Sequence, residues 1–459
     1  MKYAVIFTLL LFCSRTLTAQ LDTTSNLTDT EKLFGLSLFW KEASYNFAYF
    51  DKSNINWDSA YQAFIPQVLK TKNTYEYYRV LEKFCALLKD GHTNVYPPFL
   101  SKGSTNTQMI FEYREDKVIV TNVIVQDSAK VPLGSEVISV NDMPIRDYLN
   151  TQVLPYVAAS ATHQLYNTAM RKMYAVPDTS HILNLQLKTP KGKMVAYSTR
   201  LTAGNQKWAY PYLSSKPGNF YYEELPGKIA YIQINTFGDT SVVSKFKQNL
   251  PAIYNAKGVI IDLRYNGGGN TDVGVDILKY FTDKKQLIGS AWRTPSHIAS
   301  YKAWGYYIKD LKDTATMSAE EKEWFIKSYR IAHRDYWHSE AASIFVNDVT
   351  APKIKAPLVV LMSNSTASAA EDFLIVLDGL KERVVTIGER SYGSTGQPLQ
   401  LKLPGGGSAR ICTKRDTYPD GRDFVGYGVK PDIEVKRTLA GLLSGKDAVM
   451  EKALEVLKK

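Results

Sequence analysis

The chain is poor in the residues that most often hold small or metal-dependent proteins together. It has only three cysteines in 459 residues, Cys13, Cys85 and Cys412, and none lies in a zinc-binding spacing. Six histidines are scattered along it. No His-Glu-x-x-His segment occurs, so the signature of a zinc peptidase is missing and no metal is expected. No Gly-Lys-Ser/Thr triplet is present, which leaves a phosphate-loop nucleotide site without support. Beyond the N-terminus no apolar run approaches the ~20 residues needed to cross a bilayer. Lysine and arginine form no long block, so the net charge of +11 describes a solvated basic surface and not a nucleic-acid site. Internal repeats and low-complexity tracts are absent too.

What is present is the composition of a globular protein, 44% hydrophobic and 22% charged. The length predicts two or three domains. The N-terminus, MKYAVIFTLLLFCSRTLTAQ, places Lys2 before an apolar run from Ala4 to Cys13 and small residues near Ala19. That pattern predicts a signal peptide over 1–19 and an exported, periplasmic or secreted, protein. Bulky Phe12 argues against lipidation at Cys13. Cleavage removes Lys2 and Arg15 and no acid, taking the charge from +11 to about +9. It leaves Cys85 and Cys412, which are able to pair in an oxidising compartment.

The predicted organisation runs from a helical region (20–105) through a β-rich segment (106–205) to an α/β core (206–440) and a C-terminal helix (441–459). Leu33, Leu36, Trp40 and Phe47, then Tyr78, Leu81, Phe84 and Leu88, recur at helical spacing until Asp90-Gly91 breaks the pattern. MIFEYREDKVIVTNVIV alternates as strands do, and turns are expected at Asn141-Asp142 and Pro190-Lys191-Gly192. Residues 150–185 are ambiguous. From about 220, strands alternate with helices, which predicts a largely parallel sheet. An aromatic, charged insertion at about 290–350, with Trp292, Trp304, Trp324 and Trp337, reads as a packed helical cap. Its His333 and His338 are spaced poorly for one helical face and read as surface residues.

Ligands of open α/β sheets bind beyond the carboxyl ends of the strands, and two strands end unusually. GVIIDLRYNGGGN ends in Gly267, Gly268 and Gly269, which permit close backbone approach. LVVLMSNSTASAAED ends in four small hydroxyls, Ser363, Ser365, Thr366 and Ser368, and opens a helix. A serine in that position has a hydroxyl and neighbouring N–H groups aimed at one space, the geometry acyl transfer needs. His92, on the Gly- and Pro-flanked turn DGHTNVYPP, stands out as a base.

Together these residues resemble the C-terminal processing, or tail-specific, serine peptidases with their tricorn-core and retinoid-binding relatives. DLRYNGGGN is similar to that family's Asp-x-Arg-x-Asn-Gly-Gly-Gly strand end, and STASAAEDF to its Ser-Ala-Ser-Ala-Ser-Glu segment. GERSYGSTGQP and GYGVKPDIEV match later landmarks in order. The resemblance implies a crotonase-like (ClpP/crotonase) α/β catalytic core, a PDZ-like β-rich module at 106–205, and no cofactor. It implies Ser368 as nucleophile, with Ala369 and Gly267 or Gly268 as oxyanion donors. Ser363, Ser365 and Thr366 return to strand-end and capping roles.

The Ser/Lys branch of the family keeps a lysine just after the glycine of Gly-Glu-x-x-x-Gly, where this chain has Ser394 after Gly393. The tricorn-like branch uses a histidine, and DGHT resembles that segment, which implies His92 as the base. That branch also has a serine before its histidine and a glutamate before Gly-Val-x-Pro-Asp. Here those positions are Gly91 and Val425, so the group orienting His92 stays open among Asp90, Asp416, Asp423 and Ser394. The implied function is an exported serine peptidase acting on peptide or unfolded protein through an acyl-enzyme. The alternative is a non-catalytic protein binding apolar ligands or peptides on the same scaffold. Oligomeric state is silent.

Overall fold

The computed structural model describes residues 26–98, 105–174, 182–203, 206–211, 215–311, 314 and 316–458; the expected signal peptide lies outside them. The first helix, Asp29–Asn46, starts where Thr28 and Glu31 each accept the other's backbone N–H, at 3.2 and 2.8 Å. Asn56 and Asn73 cap Trp57–Leu69 and Thr74–Ala86, their side chains accepting the N–H groups of Ser59 and Glu76. The apolar stripes bury Leu36, Phe39, Tyr77, Tyr78, Leu81 and Phe84. At the centre the Phe84 ring stacks on Trp57 at 4.2 Å and meets Phe39 and Phe64 at 6.0 and 4.9 Å. The helical stretch ends at Lys89, whose φ of 51° turns the chain out of the helix just before Asp90, Gly91 and His92.

The β-rich segment is an antiparallel sheet with its own core of Val118, Val120, Val137, Val140, Leu183, Leu185 and Leu187. Two of its hairpins turn on two residues with positive φ, Glu115-Asp116 (52° and 60°) and Asn141-Asp142 (48° and 62°), as tight hairpins require. The ambiguous stretch contains a helix, Thr162–Arg171, whose Tyr166 stacks on Tyr113 at 4.0 Å.

The α/β core holds six strands in the order Ile433–Glu434, Val384–Gly388, Leu358–Met362, Gly258–Asp262, Ile229–Ile234, Phe220–Leu225. All pairs are parallel except the last. The three central strands are buried throughout, as a sheet covered on both faces demands. The insertion contains two helices, Ala299–Gly305 and Ala319–Ala332, with Trp304 against Trp324 at 5.4 Å. It also has a feature the periodicity hides: Ala291–Pro295 pairs with Trp337–Glu340 on one side and Arg415–Thr417 on the other. The C-terminal segment is two helices, Leu439–Ser444 and Ala448–Leu457, parted at Gly445, φ 66°.

The first hundred residues share a hydrophobic core with the α/β sheet, and one short strand pairing ties the segment after His92 to it. Strand Asn94–Tyr96 runs antiparallel to Ser408–Cys412, which hairpins with Pro398–Lys402. His92 stands two residues before it. Because the aromatic cluster stiffens the helix feeding this strand, Phe84→Ala is expected to lower stability by about 3–5 kcal/mol, read as a shifted urea midpoint at unchanged slope.

Candidate active site

The two unusual strand ends meet. Gly258–Asp262 and Leu358–Met362 are neighbours in parallel register, so the glycine run and the serine-rich turn emerge at one edge. The hydroxyls of Ser363 and Thr366 tie these ends together, donating to the carbonyls of Arg264 (2.5 Å) and Leu263 (2.9 Å), while Arg171 Nη2 donates to Ser365 Oγ at 3.4 Å. Strand-end stitching is therefore their role. The capping expected of them is not seen: at the first turn of helix Ala369–Asp378, Glu371 Oε2 accepts the Ser368 N–H at 3.2 Å.

Ser368 has φ 56° and ψ −126°, the first corner of a type II′ turn and ordinarily a glycine conformation. Holding another residue there costs of order 1–3 kcal/mol and marks sites where the surroundings over-determine the backbone. Those surroundings are visible. Ala367 N–H donates to Asn266 O at 3.0 Å, and Tyr392 N–H to Thr366 O at 2.8 Å. Gly268, at φ 102°, lies so close that a Cβ there would stand 2.6 Å from Ser368 Cβ.

The two glycines offered as oxyanion donors are not equivalent. Gly268 N–H is taken by Asn266 Oδ1 at 2.9 Å, and its carbonyl by Phe237 N–H at 2.8 Å. Nothing stands within 4 Å of a Cβ built on Gly267, so that side of its backbone is open.

His92 is buried, and its Nδ1 lies 2.8 Å from Ser394 Oγ. The Ser394 hydroxyl donates onward to Asp90 Oδ1 at 3.3 Å, so the chain is consistent only with Nδ1 carrying the proton and Nε2 free to accept. Burial, and then the charges of Arg410 and Lys414, push the imidazole down to about 3; it is neutral near pH 7. Asp90 is buried and also accepts the Thr93 hydroxyl on Oδ2 at 2.7 Å. Burial raises its carboxyl above the usual range while hydrogen bonds pull it down. Of the four candidates behind His92, the structure thus assembles Ser394 and Asp90. Asp416 pairs with Lys414 at 2.7 Å and Asp423 with Lys52 at 3.4 Å, and neither hydrogen-bonds the ring. Val425 is buried in the hydrophobic core. His333 and His338 are exposed on the cap, bonded to Tyr329 O and Glu340. The two free cysteines, Cys85 and Cys412, are both buried.

The sequence reading left Glu371 without a role. Its side chain is fully buried. Oε1 accepts the Ser391 hydroxyl (2.5 Å) and Gly393 N–H (2.7 Å); Oε2 accepts the N–H groups of Ser394 and Ser368, both at 3.2 Å. One oxygen atom thus joins the serine turn to the residue that orients His92. Removal from water drives this carboxyl up to about 8 against the pull of its four donors. A cavity of about 1010 Å³ lies elsewhere, between the β-rich unit, the core sheet and the C-terminal helices; Arg264 and Tyr265 border it, Ser368 and His92 do not. Among the described residues no cluster able to hold a metal ion occurs.

Residues 228–435 match the model of peptidase family S41, and residues 31–86 that of the tricorn protease C1 domain. The core is an S41 peptidase domain. Over 429 residues the chain is 23% identical to a carboxyl-terminal-processing protease of Picosynechococcus, spanning 89% of this chain and 86% of that protein. A carboxy-terminal-processing protease of Bartonella bacilliformis is 23% identical over 233 residues, 49% of this chain and 43% of that protein, so the chain spans under half of that relative. In fold, the chain superposes on mature CPAF with a TM-score of 0.68, at 15% identity, over 94% of this chain and 97% of the other. The likeness shows a mixed α/β fold with an N-terminal helical region.

Two outcomes follow from this geometry. Gly268→Ala is expected to destabilise the S41 core by more than 1 kcal/mol, since φ 102° and the Ser368 contact both oppose a methyl. Gly267→Ala, facing open space, should unfold at nearly the wild-type urea concentration. Glu371 has its pKa raised on folding, so its contribution is fully present below the unfolded value near 4.5 and is lost as pH rises through about 8. Urea midpoints should therefore carry a downward slope between pH 5 and 8.5 that Glu371→Gln removes; an identical slope in both proteins contradicts the assignment.

Proposed function

We propose that the chain is an exported serine peptidase that hydrolyses peptide bonds through an acyl-enzyme on Ser368. The observation that carries this reading is the connection running from the strained Ser368 backbone through Glu371 to Ser394, and from Ser394 to a neutral His92. In this reading Ser368 Oγ attacks the scissile carbonyl carbon while His92 Nε2 takes its proton. The carbonyl oxygen, now negative, is held by the N–H groups of Ala369 and Gly267, the glycine whose backbone is open on one side. His92 returns the proton to the leaving amine, and water, activated by the same imidazole, releases the acyl group. The imidazolium formed in each half is oriented by Ser394 and stabilised by the Asp90 carboxylate beyond it. No cofactor or metal enters these steps.

The names of the relatives suggest the substrate class, the C-terminal portion of a peptide or unfolded protein. The β-rich unit fits a PDZ-like module that adds such a chain as an extra strand, attached to a crotonase-like core. The apolar run before Ala19 supports export to a periplasmic or secreted location.

Ser368→Ala is expected to abolish both fluorophosphonate labelling and hydrolysis of unstructured peptides. His92→Ala should lower kcat by about 10²–10⁴-fold. Full turnover in the serine variant, or saturable ligand binding with no turnover in the wild type, would put a binding protein in place of the enzyme.

A further inference from the structure

The helix that begins near Ala161 belongs to the β-rich unit, yet its first turn reaches into the base's loop. Ser160 Oγ accepts the Gly91 N–H at 3.0 Å, and its hydroxyl donates to Asp90 Oδ1 at 3.0 Å. That is the same carboxylate oxygen to which Ser394 donates. Gln164 Oε1 holds Ser160 in place by accepting the N–H groups of Ser160 and Ala161, at 2.5 and 3.1 Å. Three residues along, His163 Nε2 lies 2.8 Å from Ser391 O, in the loop that Glu371 anchors. One helix end thus touches both sides of the His92 environment.

Gly91 shows why the hydroxyl comes from so far away. A Cβ at this position would lie 1.7 Å from Gln164 Nε2 and 2.9 Å from its Cδ, so no serine fits before His92 while Gln164 occupies the site. A serine placed there by the family resemblance would compete with Gln164 for the same space. The chain instead supplies a hydroxyl to that backbone from Ser160.

We propose that Ser160 is a positioning residue for the catalytic base: it fixes the Asp90 carboxylate, and through Ser394 the His92 ring, so that the second structural unit completes the active site. The inference rests on the peptidase reading of Ser368 and His92. In the reaction Ser160 keeps its proton; it holds the acceptor that faces Ser394 and orders the backbone at Gly91. Losing a hydrogen bond to a charged group and leaving Gly91 N–H without its acceptor should cost about 10- to 100-fold in kcat.

The experiment is a kinetic cycle on the full mature chain, with an unstructured peptide substrate and fluorophosphonate labelling as parallel readouts. Ser160→Ala should lower kcat and the labelling rate together by that factor, with KM within twofold and the protein still folded, its urea midpoint lowered only as far as the two lost hydrogen bonds account for. Ser160→Thr, which keeps the hydroxyl, should recover most of the rate. In an Asp90→Asn background Ser160→Ala should add little, because both act on one path. Unchanged kcat in Ser160→Ala, failure of threonine to recover it, or full additivity with Asp90→Asn overturns the proposal. If Ser368→Ala also remains active, the peptidase reading falls with it; if Ser368→Ala is inert while Ser160→Ala is normal, only the present inference fails.

Discussion

Everything at this site depends on one buried carboxylate. Glu371 takes four donors, three backbone N–H groups and one hydroxyl, and together with the Tyr392 N–H bond to Thr366 O it fixes Ser368 relative to Ser394. A carboxylate is suited to this because its two oxygens offer about four acceptor directions in one plane, enough to gather loops that share no strand. The cost is desolvation, which shows in the raised pKa. The network returns that cost as geometry: the serine turn, the 391–394 loop and the imidazole have no independent freedom to drift apart.

The second constraint is topological. Parallel neighbours Gly258–Asp262 and Leu358–Met362 bring the glycine run and the serine turn to one edge without further help. His92 has no such guarantee, being separated from Ser394 by 302 positions. A three-residue strand, Asn94–Tyr96, bridges the distance by pairing with Ser408–Cys412, while Cys412 N–H donates to Thr93 Oγ1 at 3.0 Å. Thr93 in turn bonds Asp90, so the ladder and the orienting carboxylate form one continuous network.

How far this was legible follows the physics of each element. The central strands announce themselves because a sheet buried on both faces is apolar at every position, and the helices Asp29–Asn46 and Thr74–Ala86 because one stripe is. Asn94–Tyr96 is too short for alternation to register. Ala291–Pro295 and Trp337–Glu340 are half-exposed or exposed and rich in polar groups, so their pairing leaves no period-2 signal. At the site, Ser368 and His92 stand in recognisable local sequence, and Asp90 and Ser394 were among the open options. Ser160 was out of reach: it lies in a stretch with no clear periodicity, 70 positions from the carboxylate it bonds. Glu371 was quoted within its segment, but nothing in SAAED tells that its side chain folds back under the preceding turn. The positive φ of Ser368 is equally invisible, because only the packed neighbours impose it.

The pairing of Asn94–Tyr96 with Ser408–Cys412 also bears on when the site can exist. The strand just after His92 is made early and its partner, Ser408–Cys412, late, so a chain that ends before Ser408 has the serine turn but not this pairing. Chain order therefore delays the seating of His92 beside Ser394 until Ser408–Cys412 has been made.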